Sequence, residues 1–196
     1  MQPGTKRFPP EFDVLYSRIF AGVAWPALRA GFVVVVGEHR TEYSAGLPKL
    51  VVLDEASDER LWHVVEKAAA LQFYYKPERV LADTHHVAAM QFVSEFAKKG
   101  LQVEGSLLCA MEGPCNYAFP VLNRLKQQGR LDVPTTLKLA GEMMTPPPHE
   151  DLRKLLLSDY PGIAALAFAV IELERTREDS RQKRPTEVEP PGRILE

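Results

Sequence analysis

The sequence predicts an α/β domain built on a mixed, five-stranded β-sheet. Three apolar, β-branched segments come first and are joined by short connections, and later segments alternate between helical and strand patterns. Parallel neighbours need a crossover of about a dozen residues, so the first three strands are expected to form an antiparallel meander. The 196 residues, 45% of them hydrophobic, suffice for one well-buried core and are too few for two ordinary domains.

The early strands are predicted from their content of β-branched and aromatic residues, which fit a pleated surface. They are expected at residues 18–23, 31–39 and 49–54. The segments 24–30 and 40–48 connect them, and neither is long enough for a helical crossover.

Helical periodicity begins after the third strand. The first helix is expected to be capped by Ser57 or Asp58 and to end at Lys76-Pro77, and Thr84 can cap the second. The predicted helices cover about 58–75, 84–100, 117–128 and 159–176, and the fourth and fifth strands cover 79–83 and 101–109.

This order of elements is that of the ribonuclease H-like fold. The predicted domain covers residues 18–176 and follows an N-terminal arm at 1–17. The segment 177–196 is charged and contains prolines, so it is expected to be a flexible tail.

Three short motifs stand at the ends of these elements: Gly22-Val23-Ala24-Trp25-Pro26, the run VLADTHH around Asp83, and Ala164-Ala165-Leu166. Together they resemble the nuclease domain of phage terminase large subunits. In that family the first strand ends with an aspartate in a GVDP-like turn, the fourth strand ends with a second acid, and a third acid lies in a DAL-like triplet near the start of the final helix. The resemblance covers roughly residues 18–175 and implies that two of the three acids are alanines here. The three acids of the family thus match Ala24, Asp83 and Ala164.

The resemblance implies metal-dependent phosphodiester hydrolysis, which places several carboxylates around two divalent ions about 3.5–4 Å apart. Asp83 is a single remnant of such a set. Other acids are expected to be too remote: Asp54 and Glu55 on the third strand, Glu38 at the opposite edge, and Glu172, about 12 Å along the helix from Ala164.

Two further side chains near the predicted metal position are considered. Asp159 lies five residues before Ala164 and could bend in, although an N-cap role is favoured. His85, and His86 beside it, directly follow Asp83. An imidazole can ligate a metal or act as a base, but histidines in a first helical turn are more commonly solvated.

The charge balance gives no general attraction to nucleic acid, since the net charge is −2 and the isoelectric point is near 6.2. The candidate DNA-binding residues are Arg124, Lys126 and Arg130, on and after the third helix. Basic residues nearer the tail alternate with acids, which favours a solvated helix with internal ion pairs. Without a signal peptide or an apolar segment of membrane-spanning length, a cytoplasmic protein of a bacterial host cell is expected, with no membrane contact.

These observations lead to three hypotheses. We expect a catalytically impaired relative of the terminase nuclease, of phage or prophage origin, that needs no cofactor and serves as a binding and docking module in DNA packaging or particle assembly. DNA and a separate packaging ATPase or portal-type protein are its implied partners. The alternative is an active metal-dependent DNA endonuclease that uses Mg²⁺ or Mn²⁺ at an unusual site formed by Asp83 with Asp159, His85 or His86. The third is an α/β protein of unrelated role.

Overall fold

The computed structural model describes residues 15–25, 30–82, 84, 87–105, 114–144 and 160–182. Within these residues, strands and helices alternate as predicted after an initial run of three strands. The elements are β1 (Tyr16–Ala24), β2 (Gly31–Ser44), β3 (Leu47–Asp58), α1 (Leu61–Tyr75), β4 (Arg79–Ala82), α2 (Val87–Lys98), β5 (Glu104–Gly105), α3 (Pro114–Gln127), β6 (Leu131–Asp132), α4 (Lys138–Met144) and α5 (Pro161–Gln182).

The strands form one mixed sheet in the order β5-β4-β1-β2-β3-β6. β1, β2 and β3 are antiparallel neighbours, and β4 lies parallel to β1. The predicted α/β class, the meander and the central place of β1 are therefore confirmed. The sheet has six strands rather than five in the described residues, because the two-residue β6 pairs in parallel with Leu50 and Val51 of β3. A strand of two residues is too short to show the alternation of apolar and polar residues by which strands are predicted.

The hairpin between β2 and β3 is longer than predicted. Ala45 and Gly46 adopt φ angles of 51° and 71°. Two consecutive positive φ values are typical of a type I′ turn, whose twist matches that of the paired strands. The strands therefore continue through most of the predicted connection at 40–48, to Ser44 on one side and from Leu47 on the other.

The first helix starts later than predicted, because β3 continues to Asp58. Arg60 occupies the N-cap position and its side chain makes no cap hydrogen bond, so the predicted cap by Ser57 or Asp58 is wrong. The helix ends where expected, with Lys76 in a left-handed conformation and its N–H bonded to the carbonyl of Gln72.

The last helix is longer than predicted, since α5 continues beyond Thr176 to Gln182. Arg177 is thus part of the helix, and its Nε and Nη2 donate to Glu38 Oε2 at 3.1 and 2.6 Å. The predicted boundary between domain and tail at residue 176 does not match this helix, and residues 183–196 lie outside the described residues.

Helices cover both faces of the sheet. α3, α4 and α5 lie on one face, where Phe20, Leu166 and Ala169 are fully buried. α1 and α2 cover the other face, where Val23 and Phe96 are fully buried. None of the described helices combines the length and apolarity that a membrane span requires.

α5 lies directly against the backbone of β1 at Gly22. A Cβ at this position would lie 1.8 Å from the carbonyl oxygen of Ala165 and 3.2 Å from the nitrogen of Ala169. A real Cβ cannot approach a backbone oxygen so closely, so this strand position requires glycine. The small residues Ala165 and Ala169 on the facing side of α5 permit the same close approach.

Charged side chains hold the second half of α5 against the opposite end of β1. Arg130 is 2% exposed, and its Nη1 and Nη2 donate to Glu174 at 2.8 and 2.7 Å. Glu174 also accepts a bond from Arg177, which donates in turn to Glu38. Ser17 Oγ donates to the other oxygen of Glu38 at 2.8 Å. We call these five residues the α5 ion network.

A second group of ion pairs surrounds Glu172, which is 5% exposed. Arg79 and Arg175 both donate to its carboxylate, and Arg79 also binds Glu104. Burial alone would raise the pKa of Glu172, but the bonds from Arg175 and the charge of Arg79 hold it below its ordinary value. The expected solvated helix with local ion pairs is therefore incorrect for this part of α5, since the pairs reach into the sheet.

Replacing Gly22 with alanine is expected to lower the free energy of unfolding by about 3 kcal/mol, because the new methyl group must displace α5. Gly141→Ala is the matched control: a Cβ there has no atom within 4 Å, and alanine favours the helical conformation of α4. Urea unfolding monitored by circular dichroism measures both. Equal stabilities of Gly22→Ala and wild type would show that the close approach is not present.

Glu174→Gln is expected to cost about 3 kcal/mol at neutral pH, because it leaves the charge of Arg130 buried without its partner. Burial raises the pKa of Glu174, but Arg130 and Arg177 outweigh that effect and hold it below the ordinary value. The stabilisation by the ionised Glu174 is therefore present above its unfolded-state pKa and is lost as the pH falls through its folded-state pKa. The urea midpoint of Glu174→Gln should approach that of wild type as the pH is lowered. Glu178→Gln, at an exposed position, is the control and should match wild type at every pH. A pH-independent difference would contradict this account.

Candidate functional site

The carboxyl end of β1 and the first turns of α5 lie at the same end of the sheet. Ala24 is the last residue of β1 and pairs with Phe32 of β2. Ala164 directly precedes Ala165, whose carbonyl lies against Gly22. Because Glu172 further along α5 bonds to the start of β4, α5 runs antiparallel to β1 and β4. The helix therefore brings Ala164 to the end of β1 where Ala24 lies.

Both alanines belong to the apolar core on the α5 face. Ala24 is 5% exposed and Ala164 is 3% exposed, and the same core contains Phe32 and Leu166. Methyl groups offer no ligand to a metal ion. A carboxylate placed at either position would be cut off from water and would need a counter-charge to remain ionised.

The remaining predicted site residues, Asp83, His85, His86 and Asp159, lie outside the described residues. The last described residue of β4 is Ala82, which pairs with Val23, the neighbour of Ala24. The structure therefore places Ala24 and Ala164 at the same end of the sheet, with the end of β4 beside Ala24.

Trp25 holds the end of β1 on the opposite face of the sheet. Its ring stacks on Phe92 with 3.9 Å between centroids and an interplanar angle of 18°, and it also contacts Phe96. Trp25 is 5% exposed, so the strand end is packed from both sides: by α2 through Trp25 and by the α5 core through Ala24.

The acidic side chains on β3 form hydrogen bonds within the fold. Asp54 accepts a hydrogen bond from the hydroxyl of Tyr75 at 3.1 Å. The Glu55 carboxylate accepts the backbone N–H groups of Lys138 and Leu139, at 2.5 and 2.9 Å, and so caps the start of α4. β2 lies between β3 and β1, which keeps both acids about two strand spacings, or roughly 10 Å, from β1.

Asp58 is a third acid at this end of the sheet. It accepts the N–H of Arg60 and the ammonium of Lys67, both at 3.0 Å. These bonds lower its pKa to about 2. Asp58 therefore ties the end of β3 to the first turns of α1.

Glu142 caps α5 and was not predicted from the sequence. Its Oε2 accepts the N–H of Ile163 at 3.2 Å, and the missing side chain of Gly162 leaves room for the carboxylate. At about 100° per residue, Ala164 points away from the side that Gly162 and Ile163 present to Glu142. Glu142 therefore supports the helix without reaching the position of Ala164. No sequence signal marks this cap, because it comes from a different helix.

A two-metal centre at this end of the sheet would need several carboxylate or imidazole ligands. Across the ranges that the structure describes, no three His, Cys, Asp or Glu side chains are grouped as a metal site. The described residues at the β1 end supply two buried methyl groups, and the acids around them cap helices or bind hydroxyl and ammonium groups. They do not fit a two-metal centre.

The predicted DNA-binding residues separate into two kinds. Arg124 and Lys126 are exposed on α3, as a phosphate contact requires. Arg130 is buried and is part of the α5 ion network. Its assignment to a DNA-binding surface is corrected, because its guanidinium holds α5 and does not reach solvent.

Comparisons with known proteins show similarity at the level of structure. No protein-family model and no curated protein matches this chain. The large terminase nuclease from thermophilic phage G20c, solved with bound zinc, matches over 79% of this chain and 81% of its own, with a TM-score of 0.58 and 15% identity. The g2p large terminase nuclease domain from bacteriophage SPP1, solved with bound Mn, matches over 87% and 94%, with a TM-score of 0.60 and 12% identity.

A longer protein shows the same similarity. The bacteriophage HK97 large terminase matches 78% of this chain with a TM-score of 0.59 and 14% identity, and the match covers 39% of the HK97 protein. Identities this low indicate a shared fold without establishing a shared activity. This chain therefore has the ribonuclease H-like fold of the nuclease domains of phage large terminases.

Proposed function

We propose that this terminase-nuclease-like protein is of phage or prophage origin, has lost metal-dependent cleavage, and serves as a binding and docking module in DNA packaging or particle assembly. The observation that carries the proposal is the burial of Ala24 and Ala164 in one apolar core at the end of β1. These are the two positions that the sequence resemblance matches to acids.

The chemical reason is the charge that two-metal hydrolysis requires. Two divalent ions about 3.5–4 Å apart carry four positive charges, and several carboxylates must offset them before a phosphodiester can bind and react. Asp83 supplies one. Glu142 beside the start of α5 and the more distant Glu55 already accept backbone N–H groups at helix starts, so moving either would uncap a helix.

We base the binding role on the contacts that hold the described fold together. Gly22 and the α5 ion network hold α5 on the sheet with protein groups alone. The domain can therefore present its surfaces to partners without a catalytic centre. The partners that we propose are DNA, with exposed Arg124 and Lys126 as phosphate contacts, and a separate packaging ATPase or portal-type protein.

Purified protein incubated with plasmid or linear DNA and Mg²⁺ or Mn²⁺ is expected to leave both substrates intact on a gel, because one carboxylate cannot hold two ions against a phosphate. Asp83→Ala is the control for a contaminating nuclease. Metal-dependent cleavage that disappears in Asp83→Ala would refute the proposal and establish the active endonuclease with a site around Asp83.

Ala24→Asp combined with Ala164→Asp is expected to rebuild an acidic cluster with Asp83. Mutual repulsion should make this variant less stable than wild type without metal, and Mn²⁺ at about 100 times its dissociation constant should restore about 2.7 kcal/mol, or roughly 5–10 °C in melting temperature.

The matched control carries asparagine at both positions, which has nearly the same size without the charge. Thermal melts with and without Mn²⁺ compare the double aspartate variant, the asparagine control and wild type. Equal metal-dependent shifts in all three, or none in the aspartate variant, would show that these alanines do not occupy metal positions.

A further inference from the structure

The paired strands β2 and β3 contain an irregular segment next to the α5 ion network. Their pairing is interrupted between Glu38 and Tyr43, where residues 39–42 lie opposite Lys49 alone. Extra residues on one strand leave backbone N–H groups without a partner on the other strand. The bulge at residues 39–42 therefore needs hydrogen-bond acceptors from a side chain or from water.

The imidazole of His39, the first residue of the bulge, supplies the acceptor. Its Nδ1 accepts the backbone N–H groups of Thr41 and Glu42 at 3.2 and 3.0 Å, and it lies 3.3 Å from Thr41 Oγ1. A ring nitrogen accepts only when it carries no proton, so these bonds assign the proton of the neutral ring to Nε2. Nε2 lies 3.5 Å from Glu42 Oε1, on the side where a donor is suited. The bulge is therefore closed around one tautomer of His39.

His39 is 8% exposed and lies among charged and titratable side chains. Its ring meets that of Tyr16 edge-on, with 5.4 Å between centroids. The groups on the elements around the bulge are Tyr16 of β1, Arg40 and Glu42 of β2, Lys49 of β3, Tyr75 of α1 and Asp132 of β6. Beyond them, Asp54 is bonded to Tyr75, and Glu38 to Arg177. Among these residue types, histidine is the one that ordinarily titrates between about pH 5 and 8.

The groups that touch the bulge keep their charge over this pH range. Burial raises the pKa of Tyr16, and the hydrogen bond from Lys49 holds the pKa of Glu42 below its ordinary value. A proton added to His39 must go to Nδ1, where it would face the two N–H groups that Nδ1 now accepts. The new charge gains little in return, because Glu42 is 54% exposed and already shared with Lys49. Acid therefore opposes the closed bulge.

We propose that His39 is an acid-released latch on the β2–β3 hairpin. The neutral ring closes the bulge, and protonation of Nδ1 releases residues 39–43 between two fixed points. One fixed point is Glu38 in the α5 ion network, and the other is Ser44, whose Oγ donates to the carbonyl of Gln128 at 2.5 Å. The latch is closed at neutral pH and opens as the pH falls through the titration of His39.

The latch controls what the hairpin presents to solvent. Thr41 and Glu42 are exposed, so their N–H groups bind water once His39 no longer accepts them, and the opening stays local. Tyr43, which directly follows the bulge, is 58% exposed and moves with it. Because His39 lies at the opposite end of β1 from Ala24, the latch does not depend on the state of the metal positions.

Nuclear magnetic resonance of the full chain tests the latch. At about pH 7.5, imidazole nitrogen spectra should show the His39 proton on Nε2, and the amides of Thr41 and Glu42 should be protected from hydrogen exchange. At about pH 5, the protection factors of these two amides should fall at least about tenfold, while those of the core strands are kept. His63→Gln is the control, because His63 lies beside Asp58 on α1 and its loss should leave this change intact.

Two substitutions separate the acceptor from the titrating ring. His39→Asn places an amide oxygen near the position of Nδ1, so the bulge should stay closed at both pH values. His39→Gln carries its amide further out and provides no acceptor at that position, so the two amides should exchange freely at both.

Three results would overturn the proposal. They are a neutral His39 ring with its proton on Nδ1, wild-type amides that stay protected at about pH 5, and a loss of protection in acid that persists in His39→Asn. If His39→Asn does not close the bulge at neutral pH, the first two measurements on wild type decide between a latch and a purely structural histidine.

Discussion

The close contact between Gly22 and α5 fixes the position of the last helix on the sheet. The helix backbone lies so close to β1 that a single Cβ at residue 22 would overlap the carbonyl oxygen of Ala165. This contact sets the height of α5 above the sheet. It thereby brings Ala164 to the β1 end occupied by Ala24, and it places Glu172, Glu174 and Arg177 over their partners at the other end.

The two ends of α5 illustrate different uses of charge. At one end, arginine and glutamate side chains neutralise each other inside the domain, so the helix is held by the protein itself. At the other end, the family pattern calls for acids without protein counter-charges, which a bound metal would have to neutralise. Replacing two such acids with alanine removes this repulsion and extends the apolar core. The proposed loss of catalysis would therefore be compatible with a stable fold, as the general opposition between activity and stability leads one to expect.

The sequence predicted the main architecture because its signals are local. Short connections required the meander, and helical periodicity located α1 and α2. The incorrect predictions concern features that are set by contacts between residues distant in sequence. The polar segment 40–44 carries no apolar alternation, yet a two-residue turn at Ala45 and Gly46 extends both strands. Arg130 and Arg177 look like solvated cations, but their partners are distant in sequence. The capping of α5 by Glu142 could not be predicted for the same reason, since Glu142 belongs to a different helix. The match of Ala24 and Ala164 to the acid positions of the family rests on the motifs around them and stays a prediction.

The proposed loss of catalysis requires that the β1 end of this fold cannot hold two metal ions. Crystals soaked in Mn²⁺ and measured at the manganese absorption edge test it most directly, because anomalous scattering locates each ion without assuming its ligands. Either no ion or a single partly occupied ion on Asp83 is expected. Two well-occupied ions about 4 Å apart beside Asp83 would contradict it, since the alanines would then not have removed the metal centre.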